Sequence, residues 1–166
     1  YEQVELYIKT SPNSDGKEDK FNLGNYKNIK YDCRSVSTDE LINIYDSAHL
    51  FVFPSLGEGW GITCADAVSN GLLVISTKHT GLDDFINTKT AIEIYCKSKK
   101  IDFQGGWNCK APIPDVKDMA NKMRWCYENY NKIYEKYQPY ASEWINTEFS
   151  WEKTTKKLVN IIFGEN

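Results

Sequence analysis

Two acidic residues bracket the stretch of this sequence best suited to chemistry. Glu58 lies in the loop "SLGEGWG" (55–61), which has three glycines in seven residues. Asp66 lies about one and a half turns into the helix expected to follow. Glycine lets main chain come close to a ligand. A helix start offers N–H groups with no intrahelical acceptor and roughly half a unit of positive charge. Strand, glycine-rich loop and helix start together make an anion site. In open α/β sheets such sites lie beyond the carboxyl ends of the strands. The spacing matches neither the dinucleotide fingerprint nor the P-loop, since neither G-x-G-x-x-G nor Gly-Lys-Ser/Thr occurs.

The neighbours of Asp66 are Cys64, Ala65, Ala67 and Val68, so its helix reads as buried. A carboxylate there needs hydrogen-bond donors, and sugar hydroxyls would serve. Each acid also has a plainer account: Asp66 as a helix acid answering the dipole, Glu58 as a solvated loop acid. Other candidates carry less weight. Arg34 is either a phosphate or base contact or a solvated surface cation. His79 and Thr80, in the loop after the next strand, could edge a sugar pocket. Trp107 reads as a packed aromatic more readily than as a lip for an acceptor.

The elements that must position these residues alternate strand and helix, which predicts an α/β fold with a parallel sheet. "VELYIK" (4–9) is a strand, residues 10–28 a long polar loop, and "NIKYDC" (28–33) a second strand. "STDELINIYDSA" (37–48) is a helix opened by a Ser37–Glu40 capping box. "HLFVFP" (49–54) is apolar enough for a strand covered on both faces. "GITCADAVSNG" (61–71) is a short helix closed by Gly71, and "LLVIST" (72–77) is another buried strand. "LDDFIN" (82–87) is a helical turn, "AIEIYC" (91–96) the last strand, and 97–114 an irregular insertion. A long helix starts near Asp115 and ends at Pro139, with Val116, Met119, Met123, Tyr127, Tyr130, Tyr134 and Tyr137 as a packing stripe. A last helix covers 150–166, with Trp151, Thr155, Leu158 and Ile162 on one face.

The chain has 166 residues, which suits a single domain, 1–166. Its net charge of -3 argues against a nucleic-acid partner, which calls for a basic stripe. The five cysteines (Cys33, Cys64, Cys96, Cys109 and Cys126) are odd in number and form no Cys-x-x-Cys pair. They imply a reducing, cytoplasmic setting without disulfides. Only His49 and His79 could join them on a metal, and neither lies at ligand spacing, so no metal site is expected. No apolar run is long enough to span a membrane and no signal peptide opens the chain. The start at Tyr1, straight into a strand, reads as a piece of a longer protein.

Taken in order, the segment 51–77 resembles the signature of glycosyltransferase family 4. That signature is an apolar strand, Pro-Ser, a Glu-Gly-aromatic-Gly loop, a second acid eight positions after the first, and a Gly-x-x-Val-Ile strand. Here it reads Pro54-Ser55, Glu58-Gly59-Trp60-Gly61, Asp66 and "GLLVIST". The upstream "STDELINIYDSAHLFVFPS" and the late "FSWEKTTKKLVNII" are also similar, so the resemblance spans 29–163. It departs in two places: the second acid is Asp66 instead of Glu, and the family's phosphate-binding Arg and Lys have no counterpart in the chain.

The resemblance implies a Rossmann-like parallel sheet flanked by helices, the C-terminal half of a GT-B enzyme. The acceptor-binding N-terminal domain would lie outside this chain, leaving it inactive alone. It further implies retaining transfer of a sugar, hexosyl in type, from a nucleoside diphosphate donor, with no cofactor and no metal. In keeping with that, Asp-x-Asp does not occur, and Asp83 and Asp84 are adjacent. By position, Glu58 is the catalytic residue and contacts the donor sugar. The N–H groups of Gly59, Trp60 and Gly61 line that sugar, those of Ile62 and Thr63 face the diphosphate, and Asp66 takes the ribose. The base lies near Arg34, Ser35 and Val36. Partners would be the donor and a glycan, lipid or protein acceptor. The competing readings are a 2-epimerase or phosphorylase on the same architecture, and a catalytically silent binding module.

Overall fold

A computed structural model describes residues 4–10, 26–103 and 107–164. They gather into two compact units, residues 1–43 and 44–166. The loop expected over 10–28 lies mostly outside the described residues, as do Gly105 and Gly106 and the side chain of Trp107.

In the first unit, β1 (Leu6–Lys9) and β2 (Ile29–Asp32) pair in parallel, Leu6 opposite Ile29. The capping box before α1 (Thr38–Asp46) forms as expected. Ser37 Oγ accepts the Glu40 N–H at 3.2 Å, and Glu40 Oε2 accepts the Ser37 N–H at 2.9 Å. Two orphan donors of the helix start are thereby satisfied.

The second unit holds a three-stranded parallel sheet in the order β3-β4-β5, with β3 (Leu50–Phe53), β4 (Leu73–Ser76) and β5 (Ile92–Glu93). Helix α2 (Ile62–Ser69) crosses from β3 to β4. Its end is a Schellman cap: Gly71 adopts φ +81° and donates to Val68 O, while Leu72 donates to Ala67 O. Every residue of β4 is buried. Leu73 and Ile75 meet Ile92, Ile94, Cys126 and Ile133, with Met119, Met123 and Tyr137 packed around them. Ser76 points the other way and meets Cys64 of α2 at 3.8 Å, as the period of two requires. Helices thus cover both faces of this parallel sheet, the Rossmann-like α/β arrangement. Strand β3, expected to be covered on both faces, is half-buried throughout, because it forms an edge of this sheet.

Three other expectations are corrected. Residues 97–114 are regular: β6 (Cys96–Phe103) and β7 (Trp107–Pro114) form an antiparallel hairpin, with Cys96 opposite Pro114 and Phe103 opposite Trp107. The helical turn is a 3-10 turn at Thr80–Asp84. The long helix is two helices, α3 (Val116–Glu128) and α4 (Tyr130–Glu148), and Pro139 lies inside α4. Proline removes one helix donor. Pro139 and Glu135, whose carbonyl loses that donor, are both exposed, so water can take the carbonyl. Buried Ile133, Ala141 and Ile145 hold α4 on either side. The last helix, α5 (Trp151–Phe163), starts at Ser150, whose Oγ accepts the Lys153 N–H, but none of its residues is buried.

Candidate functional site

Main chain leaves β3 at Pro54, turns through 55–61 and enters α2, so the loop lies at the carboxyl end of a parallel strand. Trp60 anchors it. Its ring packs on Phe85 at 5.1 Å and on Phe149 at 5.2 Å between centroids. Phe85 is fully buried, so the indole is held by the core, while Gly57 and Gly59 before it are exposed.

The glycines of the loop fall into two kinds. Gly61, the N-cap of α2, has φ +90°, and a Cβ there would lie 2.5 Å from Leu82 Cδ2. It is glycine for the protein's own sake. Gly57 and Gly59 have φ outside the left-handed range, and a Cβ on either would meet nothing within 4 Å. Packing does not require glycine at those two positions; a ligand against the main chain would.

Helix α2 begins without a side-chain cap. Gly61 O accepts the N–H groups of Cys64 and Ala65, whereas those of Ile62 and Thr63 have no acceptor among the described residues. This first turn can therefore receive an anion. Glu58 stands before it, with Oε1 accepting from Ser55 Oγ at 2.8 Å. Asp66 stands one turn behind. It is half-buried, no donor among the described residues meets its carboxylate, and burial raises its pKa. Two carboxylates with free lone pairs flank two free N–H groups, a set that can hold an anion and hydrogen-bond hydroxyls on either side of it.

Glu58, Gly59, Trp60, Gly61, Ile62, Thr63 and Asp66 are thus brought together by one loop and one helix. Arg34, Ser35 and Val36 belong to the first unit, between β2 and α1. There the Arg34 guanidinium grips Asp32 with two bonds, Nε to Oδ1 at 3.0 Å and one terminal nitrogen to Oδ2 at 2.7 Å. Tyr7 Oη adds a third bond to that carboxylate, and the hydrogen bonds of Arg34 come first among the causes holding its pKa far below the usual range. Ser35 is exposed and Val36 half-buried.

A second loop, following β4, supports the first. Thr77 Oγ1 and His79 Nε2 both reach Ser55 O at 2.9 Å. A carbonyl only accepts, so Nε2 carries the ring proton. The Glu58 N–H donates to Thr80 Oγ1 at 3.0 Å, and the Gly81 N–H donates to Glu58 O at 3.2 Å. A Cβ on Gly81 would fall 2.1 Å from Gly59 O. Sequence reasoning placed His79 and Thr80 at a pocket edge and missed Gly81 and Ser55 as supports. The available signal was that both loops follow adjacent parallel strands.

Other reactive groups are quiet. Burial pushes the Cys64 thiol up to about 12 and that of Cys126 to about 11, so both stay protonated at neutral pH. Among the described residues no three His, Cys, Asp or Glu side chains gather in a group that could hold a metal ion. Nor is any helix among them long and apolar enough to cross a membrane.

A Rossmann-like α/β domain with an uncapped helix start between two acids offers groups that can take an anion and hydrogen-bond neighbouring hydroxyls. The sequence pattern described as Glycosyl transferases group 1 matches residues 22–144, and the chain belongs to that family. Its activity is accordingly transfer of a sugar from a donor to an acceptor. No curated protein matches the chain.

Proposed function

We propose that this domain binds a nucleoside diphosphate sugar and serves as the donor half of a retaining GT-B enzyme of the family 4 type. The observation that carries the reading is the uncapped first turn of α2 set between Glu58 and Asp66. The diphosphate lies against the N–H groups of Ile62 and Thr63. Charge developing on the leaving phosphate is met there by dipoles already in place. Glu58 takes the donor sugar hydroxyls and Asp66 the ribose. Gly59 leaves room for the sugar to approach the main chain. The acceptor is a glycan, lipid or protein, and binding needs no divalent metal.

Calorimetric titration with uridine, guanosine and adenosine diphosphate sugars, with and without EDTA, tests this. Glu58→Ala should weaken the preferred sugar nucleotide and leave the bare diphosphate nearly unchanged. Asp66→Ala should weaken both alike. Each lost charged hydrogen bond should cost roughly 1.5–3 kcal/mol, about 10- to 150-fold in affinity. Binding of none of the three nucleotides would sink the reading and leave a silent module. A tenfold loss on chelation, about 1.4 kcal/mol, would refute metal independence.

A further inference from the structure

Thr80 is the only described residue other than glycine with positive φ, at +53°. A β-branched residue in the left-handed region is a genuine outlier, which persists only where surroundings hold it. What the strained residue does is visible. Its hydroxyl donates to His79 O at 2.7 Å, which aims its lone pairs at the Glu58 N–H, 3.0 Å away. The next residue, Gly81, returns a bond to Glu58 O at 3.2 Å. Both main-chain groups of Glu58 are therefore held by consecutive residues of the loop after β4. Its carboxylate is held by Ser55, whose own carbonyl is fixed by Thr77 and His79. Within the 55–61 loop, Glu58 alone has its N–H, its carbonyl and its side chain all held among the described residues. The grip falls on the acid that lies between Gly57 and Gly59, where an added Cβ would meet nothing within 4 Å.

We propose that Thr80 is a positioning residue for the donor site, its hydroxyl fixing the main chain of Glu58 so that the carboxylate meets the hydroxyls of the transferred sugar. This rests on the donor reading above. An acid carried by glycine-flanked chain would otherwise sample many orientations, and ordering it on binding would weaken affinity. The backbone strain at Thr80 maintains the direction of the hydroxyl, and the rest of the loop shares the cost.

Three substitutions in the intact protein separate the hydroxyl from the strain. Thr80→Ser keeps the hydroxyl, Thr80→Val keeps the branched shape and loses the acceptor, and Thr80→Gly relieves the strain and loses the acceptor. Affinity for the preferred sugar nucleotide and for its bare nucleoside diphosphate is measured by calorimetry, and Tm by scanning. Thr80→Val and Thr80→Gly should each weaken the sugar nucleotide about 3- to 10-fold and leave the diphosphate within about twofold. Thr80→Ser should bind both as the parent does. Tm should follow a different order, with Thr80→Gly at or above the parent and Thr80→Val below it. If Val and Gly variants bind the sugar nucleotide like the parent, or lose both ligands in parallel with Tm, Thr80 is merely structural and the proposal falls. Should the parent itself bind no nucleotide, the donor reading fails and takes this inference with it. Parent binding with indifferent variants overturns the inference alone.

Discussion

Gly59 and Gly61 stand two positions apart and answer to different demands. At Gly61, alanine must adopt φ +90° and push Leu82 aside. Gly61→Ala should therefore cost about 1–3 kcal/mol of stability, read as a shifted denaturant midpoint. At Gly59 the added methyl meets open space and unfolded-chain entropy falls. Gly59→Ala should leave the midpoint unchanged or raise it by up to about 1 kcal/mol while weakening sugar-nucleotide binding. A drop in stability at Gly59 would show that the structure, not a ligand, demands glycine there. Asp66 makes a pH prediction. Its folded pKa is raised by burial, so the folded state binds protons more tightly than the unfolded chain. By linkage, stability falls as pH rises from the ordinary aspartate value through the raised one, and the penalty is complete above it. Asp66→Asn should thus raise Tm at neutral pH in the absence of ligand and leave Tm nearly unchanged below the ordinary aspartate value. An unchanged or lower Tm at neutral pH would mean that the carboxylate has a stabilising partner.

At the scale of elements, α4 runs through its proline because its packing outweighs one missing bond. Pro139 has no N–H for Glu135 O, and its ring crowds the preceding turn. Pro139→Ala should restore the bond on an exposed face. After allowance for the more flexible unfolded chain, it should stabilise by about 1–2 kcal/mol, seen as a higher Tm with the same helicity. Destabilisation would indicate that the proline shapes the helix where Ser142 and Asn146 meet Ser69. Ser142 Oγ donates to Ser69 O at 2.8 Å, and Ser69 Oγ donates to Asn146 Oδ1 at 2.6 Å. These bonds tie the far end of α4 to the end of α2, the helix whose start forms the site. Packing along α4 therefore bears on where the first turn of α2 points.

At the scale of the whole molecule, burial is uneven. In residues 44–166 it concentrates on β4 and the residues against it, with Ile75 fully buried. Ile75→Ala should cost roughly 2–5 kcal/mol. Helix α5 is the opposite case: Ile161 is 80% exposed and Ile162 62% exposed despite the apolar stripe. Ile162→Lys should stay within about 0.5 kcal/mol of the parent in this chain. Paired denaturant titrations check both, and a large loss at Ile162 would contradict the exposure of α5. The chain's family membership rests on the matched stretch 22–144, which contains the loop and α2 but not α5.

The sequence by itself determined the parts of this protein that obey short-range rules. The Ser37–Glu40 box, the end of α2 at Gly71 and the loop from Glu58 to Asp66 are each written in residues a few positions apart, where local sterics and hydrogen bonds decide. The ordered acids and glycines of that loop also carried the family resemblance. Tertiary structure decided the rest. The hairpin of 96–114 was hidden because Gly105, Gly106, Pro112 and Pro114 read as loop, while its stability comes from cross-strand pairing. Pro139 read as a stop because propensity is a local cost, which the burial of Ile133, Ala141 and Ile145 overrides. Arg34 read as either a phosphate or base contact or a solvated cation, because Asp32, two residues away, turns back onto it only in the folded loop after β2. The support of Glu58 by Thr80 joins residues 22 positions apart. That distance closes only once β3 and β4 pair in parallel register, which brings the loops at their carboxyl ends side by side.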